Sequence, residues 1–163
     1  GHRRAARRHV TVALNQDYLG KTYPPSPPYQ VGREKIREFA TAIGDANPAY
    51  HDVEHAQSLG HRDVIAPPTF PFTITMRAMA VVMFDPDLGL DYSRVVHGEQ
   101  RFAYSRPVTA GDRLVVETTI ENIRVAAGND ILTSRSEVST EDGEHVVTTW
   151  AVTVARGTAE ESA

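Results

Sequence analysis

The chain has 163 residues, of which 40% are hydrophobic and 23% are charged, enough for one globular domain with one core. Its net charge of −4 argues against a nucleic-acid partner, because proteins that bind nucleic acids usually carry a basic face. The absence of cysteine excludes disulfide bonds, thiolate nucleophiles and sulfur-ligated metals.

The two ends of the chain are predicted to lie outside the folded domain. Residues 1–17 begin with a basic segment that no signal-peptide-like apolar region follows, so we expect a disordered tail or a tag remnant. Residues 157–163 are expected to form a second disordered tail, which assigns the domain to residues 18–156. No apolar stretch reaches the roughly 20 residues that a membrane span needs, so we predict a cytoplasmic protein without a span.

Helical periodicity comes first along the chain. Residues 33–43 place their apolar side chains on one face, and Gly44 follows them as a helix C-cap would. A short helix is predicted over residues 53–59. A longer helix, from about residue 69 to residue 84, is apolar on most sides, which is typical of a helix buried on more than one face.

Strands are predicted in the second half of the chain. The second and fourth of these four segments alternate apolar and polar residues, which is typical of a sheet with one buried face. Helices followed by a strand meander predict an α+β fold. The four predicted strands cover residues 94–106, 113–125, 130–140 and 145–155.

Three motifs carry the resemblance to a known family. Residues 44–52 read Gly-Asp-Ala-Asn-Pro-Ala-Tyr-His-Asp, residues 97–100 read His-Gly-Glu-Gln, and residues 102–114 contain Phe-x-x-x-x-Pro-Val-x-x-Gly-Asp-x-Leu. In this order they resemble the MaoC-like (3R)-hydroxyacyl-thioester dehydratases and hydratases. Segments 32–40 and 65–70 are also similar to the A-type subunit of the actinobacterial (3R)-hydroxyacyl-ACP dehydratase.

This resemblance implies the hot-dog fold, a curved antiparallel sheet wrapped around a long central helix. Hot-dog domains usually pair, so it also implies a homodimer or a heterodimer with a second hot-dog subunit. The implied substrate is an acyl thioester of acyl carrier protein or coenzyme A, and no cofactor is implied. We predict no metal site, because His55 and His61 lack the spacing of metal ligands.

Asp45 and His51 are the candidate catalytic residues that the resemblance implies. In the family an aspartate and a histidine hold a water and exchange protons with the thioester substrate, which suits an imidazole that titrates near neutrality. The family's histidine lies five positions after the aspartate, where this chain has Tyr50, and His51 lies one position further on. A loop bulge could absorb that offset, but on a helical turn it rotates the side chain by about 100°. The alternatives are a turn residue for Asp45 and a solvent-facing loop residue for His51.

Eight further residues are candidate substrate contacts. Two of them share the Asp45 loop, where Asn47 can also shape the backbone and Tyr50 can also pack. Backbone amides at the start of the central helix could face a thioester oxygen. On the first predicted strand, His97 and Gln100 could bind the carrier arm or serve as structural hydrogen bonds. The set is Asn47, Tyr50, Pro68, Thr69, Phe70, His97, Gly98 and Gln100.

The sequence leaves three functions open. The first is a (3R)-hydroxyacyl-thioester dehydratase or enoyl hydratase of fatty-acid metabolism, a hydro-lyase that is active alone or only with a partner subunit. The second is a non-catalytic subunit that binds the acyl chain while a hot-dog partner supplies the aspartate and histidine. A thioesterase is the third and more remote alternative, because hot-dog folds host that chemistry too.

Overall fold

The computed structural model describes residues 14–159, which form three α-helices and five β-strands. The helices are α1 (Arg33–Ala42), α2 (Val53–Ser58) and α3 (Pro71–Met83). The strands are β1 (Tyr29–Gln30), β2 (Val95–Tyr104), β3 (Arg113–Ala126), β4 (Asn129–Thr140) and β5 (His145–Ala155). Short 3-10 segments occur at Gln16–Tyr18, Pro48–Tyr50 and Tyr92–Arg94.

The five strands form one antiparallel sheet in the order β1-β3-β4-β5-β2. Only β3, β4 and β5 form a meander, so the prediction of a four-strand meander is wrong for β2, which lies beyond β5. The connection over residues 105–112 carries the chain from that end of the sheet to β3 instead of closing a hairpin. A backbone bridge between Ile65 and Thr109 fastens this connection.

The helix α3 lies against the inner face of the curved sheet, where it packs on β3 and β5. Its buried side chains join two core clusters: Ile74 packs with Leu114, while Met79 and Val82 belong to a cluster that includes Ile120. A curved antiparallel sheet around a central helix is the hot-dog fold, which confirms the predicted fold class.

The other side of α3 is exposed among residues 14–159. Met76, Val81 and Phe84 are 57%, 59% and 66% exposed. The prediction that this helix is buried on more than one face is therefore wrong for the single chain. An apolar helix face left open in this way is a feature of surfaces that bind another molecule.

The predicted tails fall partly outside the described residues, namely over 1–13 and 160–163. Their described parts belong to the folded domain. Leu14 is 3% exposed in the core. At the other end, the buried Thr158 donates a hydrogen bond to Asp130 at 2.6 Å. The structure therefore extends the folded domain at least to residues 14 and 159.

An ion pair fastens the start of α1 to the loop before α3. Arg33 Nε and Nη2 donate to the Asp63 carboxylate at 3.0 and 2.7 Å. These bonds lower the pKa of Asp63 below its ordinary value of 3.8. A lowered carboxyl pKa means stability that is present above the unfolded-state pKa and lost as the pH falls through the folded-state pKa.

Asp63→Asn is therefore expected to make the stability of the domain less dependent on pH below about pH 4. The loss of stability at pH 7 should be small, because more than half of the Arg33 side chain is exposed and solvent screens the pair. Urea unfolding at pH 7 and pH 3 measures both effects, with Asp142→Asn as an exposed control. An unchanged pH dependence in Asp63→Asn would contradict the assignment.

Candidate functional site

The loop after α1 positions Asp45 through a turn at Gly44, whose φ of +74° lies in the left-handed region that favours glycine. Asp45 is half-buried, and its Oδ1 accepts a hydrogen bond from the Asn47 amide at 3.0 Å. The Asn47 side chain in turn accepts from the Ala49 amide at 3.0 Å and begins the 3-10 turn. Both side chains therefore hold the loop backbone, which is the structural alternative that the sequence left open for them.

Tyr50 and His51 follow one another at the end of this turn but face different surroundings. Tyr50 is 8% exposed and lines a pocket. His51 is half-buried, and its Nε2 lies 3.0 Å from the main-chain oxygen of Asp45. Among the hydrogen bonds of residues 14–159, none joins the His51 ring to the Asp45 carboxylate. The structure brings the predicted catalytic pair into one loop without a direct bond between imidazole and carboxylate.

The pocket that Tyr50 lines has a volume of about 360 Å³ and lies between the Asp45 loop, the start of α3 and the end of β2. Across it, the Tyr104 hydroxyl donates to the main-chain oxygen of Pro68 at 2.5 Å. Burial raises the pKa of both phenols, and the negative charge of Asp45 raises the pKa of Tyr50 further. Both tyrosines therefore keep their hydroxyl protons at neutral pH.

The start of α3 differs from the prediction. Phe70 is fully buried, and its ring packs edge-on against Phe39 with the ring centres 5.5 Å apart. The amides of Phe70 and Phe72 already donate to the carbonyls of Pro67 and Thr69, at 2.9 and 3.1 Å. Phe70 is therefore a core residue, not an accessible substrate contact, and these two amides are not free to face a thioester oxygen. Thr69 itself is exposed.

The second motif, residues 97–100, lies on β2, the strand at one end of the sheet. The pairing of β2 with β5 shifts by one residue at Gly98, because His97 pairs with Thr153 while Glu99 pairs with Val152. This β-bulge brings His97 Nε2 to 3.1 Å from the Gln100 side-chain oxygen.

A second, apolar groove of about 260 Å³ runs between α3 and the inner face of β2. Its walls combine the open side of α3 with the aromatic and aliphatic side chains that precede and begin β2. The principal lining residues are Phe72, Met76, Met83, Tyr92, Val95 and His97. Methionine and phenylalanine side chains of α3 are partly exposed in this groove, where an alkyl chain could contact them.

Sequence reasoning missed Tyr104 as a pocket residue. It lies within the third motif, but its position opposite Tyr50 follows only from the long-range pairing of β2 with β5. Among residues 14–159, no cluster of three or more potential metal ligands was found. Within the same range, no helix has the length and apolar character to cross a membrane.

Comparison with known proteins gives one family model, described as "FAS1-like, dehydratase domain region", that matches residues 19–149. A UPF0336 protein of Streptomyces coelicolor is 64% identical over 149 residues, which cover 91% of this chain and 99% of that protein. A UPF0336 protein of Thermobifida fusca is 54% identical over 148 residues, covering 91% of this chain and 97% of that protein.

Two solved structures are similar at more than 30% identity. A MaoC-like dehydratase shares 34% identity with a TM-score of 0.79, over 85% of this chain and 42% of that chain. The HadBC (3R)-hydroxyacyl-ACP dehydratase complex of Mycobacterium tuberculosis shares 31% identity with a TM-score of 0.78. The match covers 86% of this chain and 99% of that chain. The present chain thus spans about two fifths of the MaoC-like dehydratase chain and nearly all of the HadBC chain that it matches.

Proposed function

This chain belongs to the family of FAS1-like dehydratase regions, and on that premise we propose that it is the acyl-binding subunit of a (3R)-hydroxyacyl-thioester dehydratase. The resemblance to MaoC-like dehydratases that three motifs indicated is confirmed at the level of the family. The proposed substrate is an acyl thioester of acyl carrier protein or coenzyme A, in fatty-acid metabolism. The proposed partner is a second hot-dog subunit that supplies the working aspartate and histidine.

The observation that carries this proposal is that Tyr50, and not His51, lines the pocket. The position where the family motif has its histidine faces the pocket, but here it holds a phenol whose pKa is raised by burial. Such a group cannot accept a proton at neutral pH. The neighbouring imidazole contacts the main chain of Asp45 instead. The geometry therefore supports a pocket that binds a thioester and lacks the base that dehydration needs.

Dehydration removes a proton from C2 and a hydroxyl group from C3 of the acyl thioester. In the proposed division of labour, the partner's histidine and aspartate move these groups. The chain described here offers the Tyr50 hydroxyl to polar atoms of the substrate and its apolar groove to the acyl chain, while the Tyr104 hydroxyl stays bonded to the Pro68 carbonyl. Such a division needs the two subunits to meet beside the groove.

Two open surfaces support a hot-dog partner. β2 ends the sheet, so one of its edges has no neighbouring strand among residues 14–159, and an open edge of this kind can pair with another strand. Beside it, Met76 of α3 and Phe84, directly after α3, are exposed and line the apolar groove. A second hot-dog domain paired along β2 would cover both surfaces. The similar HadBC structure is described as a complex, which supports a paired arrangement here.

The isolated chain is expected to bind crotonyl-CoA but not to hydrate it at an enzymatic rate. Calorimetry measures the binding, and the loss of enoyl absorbance measures hydration, first with the chain alone and then with a purified hot-dog dehydratase subunit added. Full turnover by the chain alone would contradict the proposal. Failure to bind any acyl thioester would contradict it as well.

A second candidate function is a self-sufficient hydro-lyase that uses Asp45 and His51. The observation that favours it is the 3.0 Å contact between the His51 ring and the Asp45 main chain, which keeps both residues in one half-buried loop. Under this alternative, Asp45→Ala and His51→Ala would each lower turnover by the isolated chain at least 100-fold, as general acid–base residues do. Under the preferred proposal there is no such turnover to lose.

A further inference from the structure

The His97–Gln100 segment of β2 contains a β-bulge. The proposed function above assigns this bulge no role in binding. Gly98 is the extra residue, and a Cβ at this position would lie 3.3 Å from the Val152 carbonyl oxygen and 3.4 Å from a Val154 methyl group. In a regular strand, His97 and Gln100 would face opposite sides of the sheet, because they are three residues apart. The bulge turns both toward the inner side, and bulges commonly re-aim a side chain in this way.

The two re-aimed side chains form a pair with unused hydrogen-bonding capacity. The Gln100 amide oxygen can only accept, so the His97 Nε2 that lies 3.1 Å away donates to it and carries the ring proton. In the neutral imidazole, Nδ1 is then an acceptor, and it has no partner among the described residues. The Gln100 Nε2 is a buried donor that also has no partner among residues 14–159. A native structure seldom leaves a buried donor unsatisfied without a reason.

The groove that His97 lines is largely apolar. The exposed His97 ring lies 5.5 Å from the Phe72 ring, centre to centre, and both line the groove together with Met76 and Met83. A long alkyl chain would fill such a groove but would leave the pair unsatisfied. A hydroxyl group fits better, because it donates to the imidazole nitrogen and can accept from an amide.

A ligand hydroxyl group bound at the His97–Gln100 pair would lie far along β2 from a thioester bound in the Tyr50 and Tyr104 pocket. Tyr104 and His97 are seven residues apart, which corresponds to about 20 Å in a strand with one bulge. If the thioester lies in the Tyr50 and Tyr104 pocket, the pair meets the interior of a long chain instead of its C3 hydroxyl. We propose that the His97–Gln100 pair, aligned by the Gly98 bulge, selects long acyl chains that carry an internal hydroxyl group. This inference rests on the acyl binding proposed above.

The test compares hexadecanoyl-CoA with a series of hydroxyhexadecanoyl-CoA isomers in which the hydroxyl moves away from the thioester. Calorimetry with the purified chain should find one internal isomer bound about fivefold more tightly than hexadecanoyl-CoA, as one added neutral hydrogen bond allows. His97→Phe and Gln100→Leu should each abolish this preference without weakening hexadecanoyl-CoA. His61→Phe, a half-buried histidine outside the groove, should leave the preference unchanged.

Gly98→Ala provides an independent variant, because it leaves both polar side chains in place but crowds the bulge against β5. It should reduce the preference while the domain still unfolds cooperatively. Equal affinity of all isomers and hexadecanoyl-CoA for the unmodified chain would overturn the inference and leave acyl binding intact. Absence of binding to every acyl-CoA would overturn the proposed function and this inference together.

Discussion

Asp112→Ala is expected to destabilise the domain by about 3–5 kcal/mol, the range found when one partner of a buried ion pair is removed. The Asp112 side chain is 2% exposed. Its Oδ2 accepts from the Thr109 amide and from Arg106 Nη1, both at 2.8 Å. Its Oδ1 accepts from Arg106 Nη2 at 3.0 Å and from Arg62 Nη2 at 3.2 Å.

The loss would leave the Thr109 amide without its acceptor, and the half-buried Arg106 guanidinium would keep only Glu144 and the Pro107 carbonyl as acceptors. Both belong to the connection that carries the chain from β2 to β3, so the crossover itself loses its anchor. Urea unfolding measures the cost, and Asp142→Ala, an exposed acid near the same surface, should change the free energy of unfolding by less than about 0.5 kcal/mol. Equal effects of the two substitutions would show that the Asp112 network contributes little.

This network shows how far sequence could predict the fold. The Gly111–Asp112 motif predicted the turn before β3, and local strand patterns predicted β3, β4 and β5 to within one residue. The place of β2 at the far end of the sheet depends on long-range pairing with β5, which a local pattern does not encode. The two-residue strand β1 was missed because two residues are too few to alternate.

The sequence indicates which residues lie in the candidate site better than it indicates where their side chains point. The sequence left both a site role and a loop role open for Asp45 and Asn47; both side chains hold the loop backbone, and their part in the site stays a prediction. Which of Tyr50 and His51 enters the pocket depends on the 3-10 turn Pro48–Tyr50, in which a step of one residue rotates the side chain by about 120°. The His97–Gln100 contact needed the Gly98 bulge, and a strand read as regular places those two residues on opposite faces.

Tyr50→His is expected to give the isolated chain an enoyl-thioester hydration activity at least 100-fold above that of the unmodified chain. The substitution places an imidazole five positions after Asp45, on the side of the turn that lines the pocket opposite Tyr104. An added general base contributes about 10²–10⁴-fold when it reaches the reacting atoms. Crotonyl-CoA hydration, followed by enoyl absorbance, measures the gain.

The pH profile separates a new base from a nonspecific change. Activity of Tyr50→His should rise with pH through about 6.5, where an unperturbed imidazole loses its proton. Adding His51→Ala should leave this activity in place, because His51 contacts the Asp45 main chain instead of the pocket. Adding Asp45→Ala should abolish it, because no carboxylate would then share the water. Tyr50→His could instead stay inactive while still binding crotonyl-CoA. The phenol would then not be the cause of the missing activity, and the pocket would lack a further group that only the partner subunit supplies.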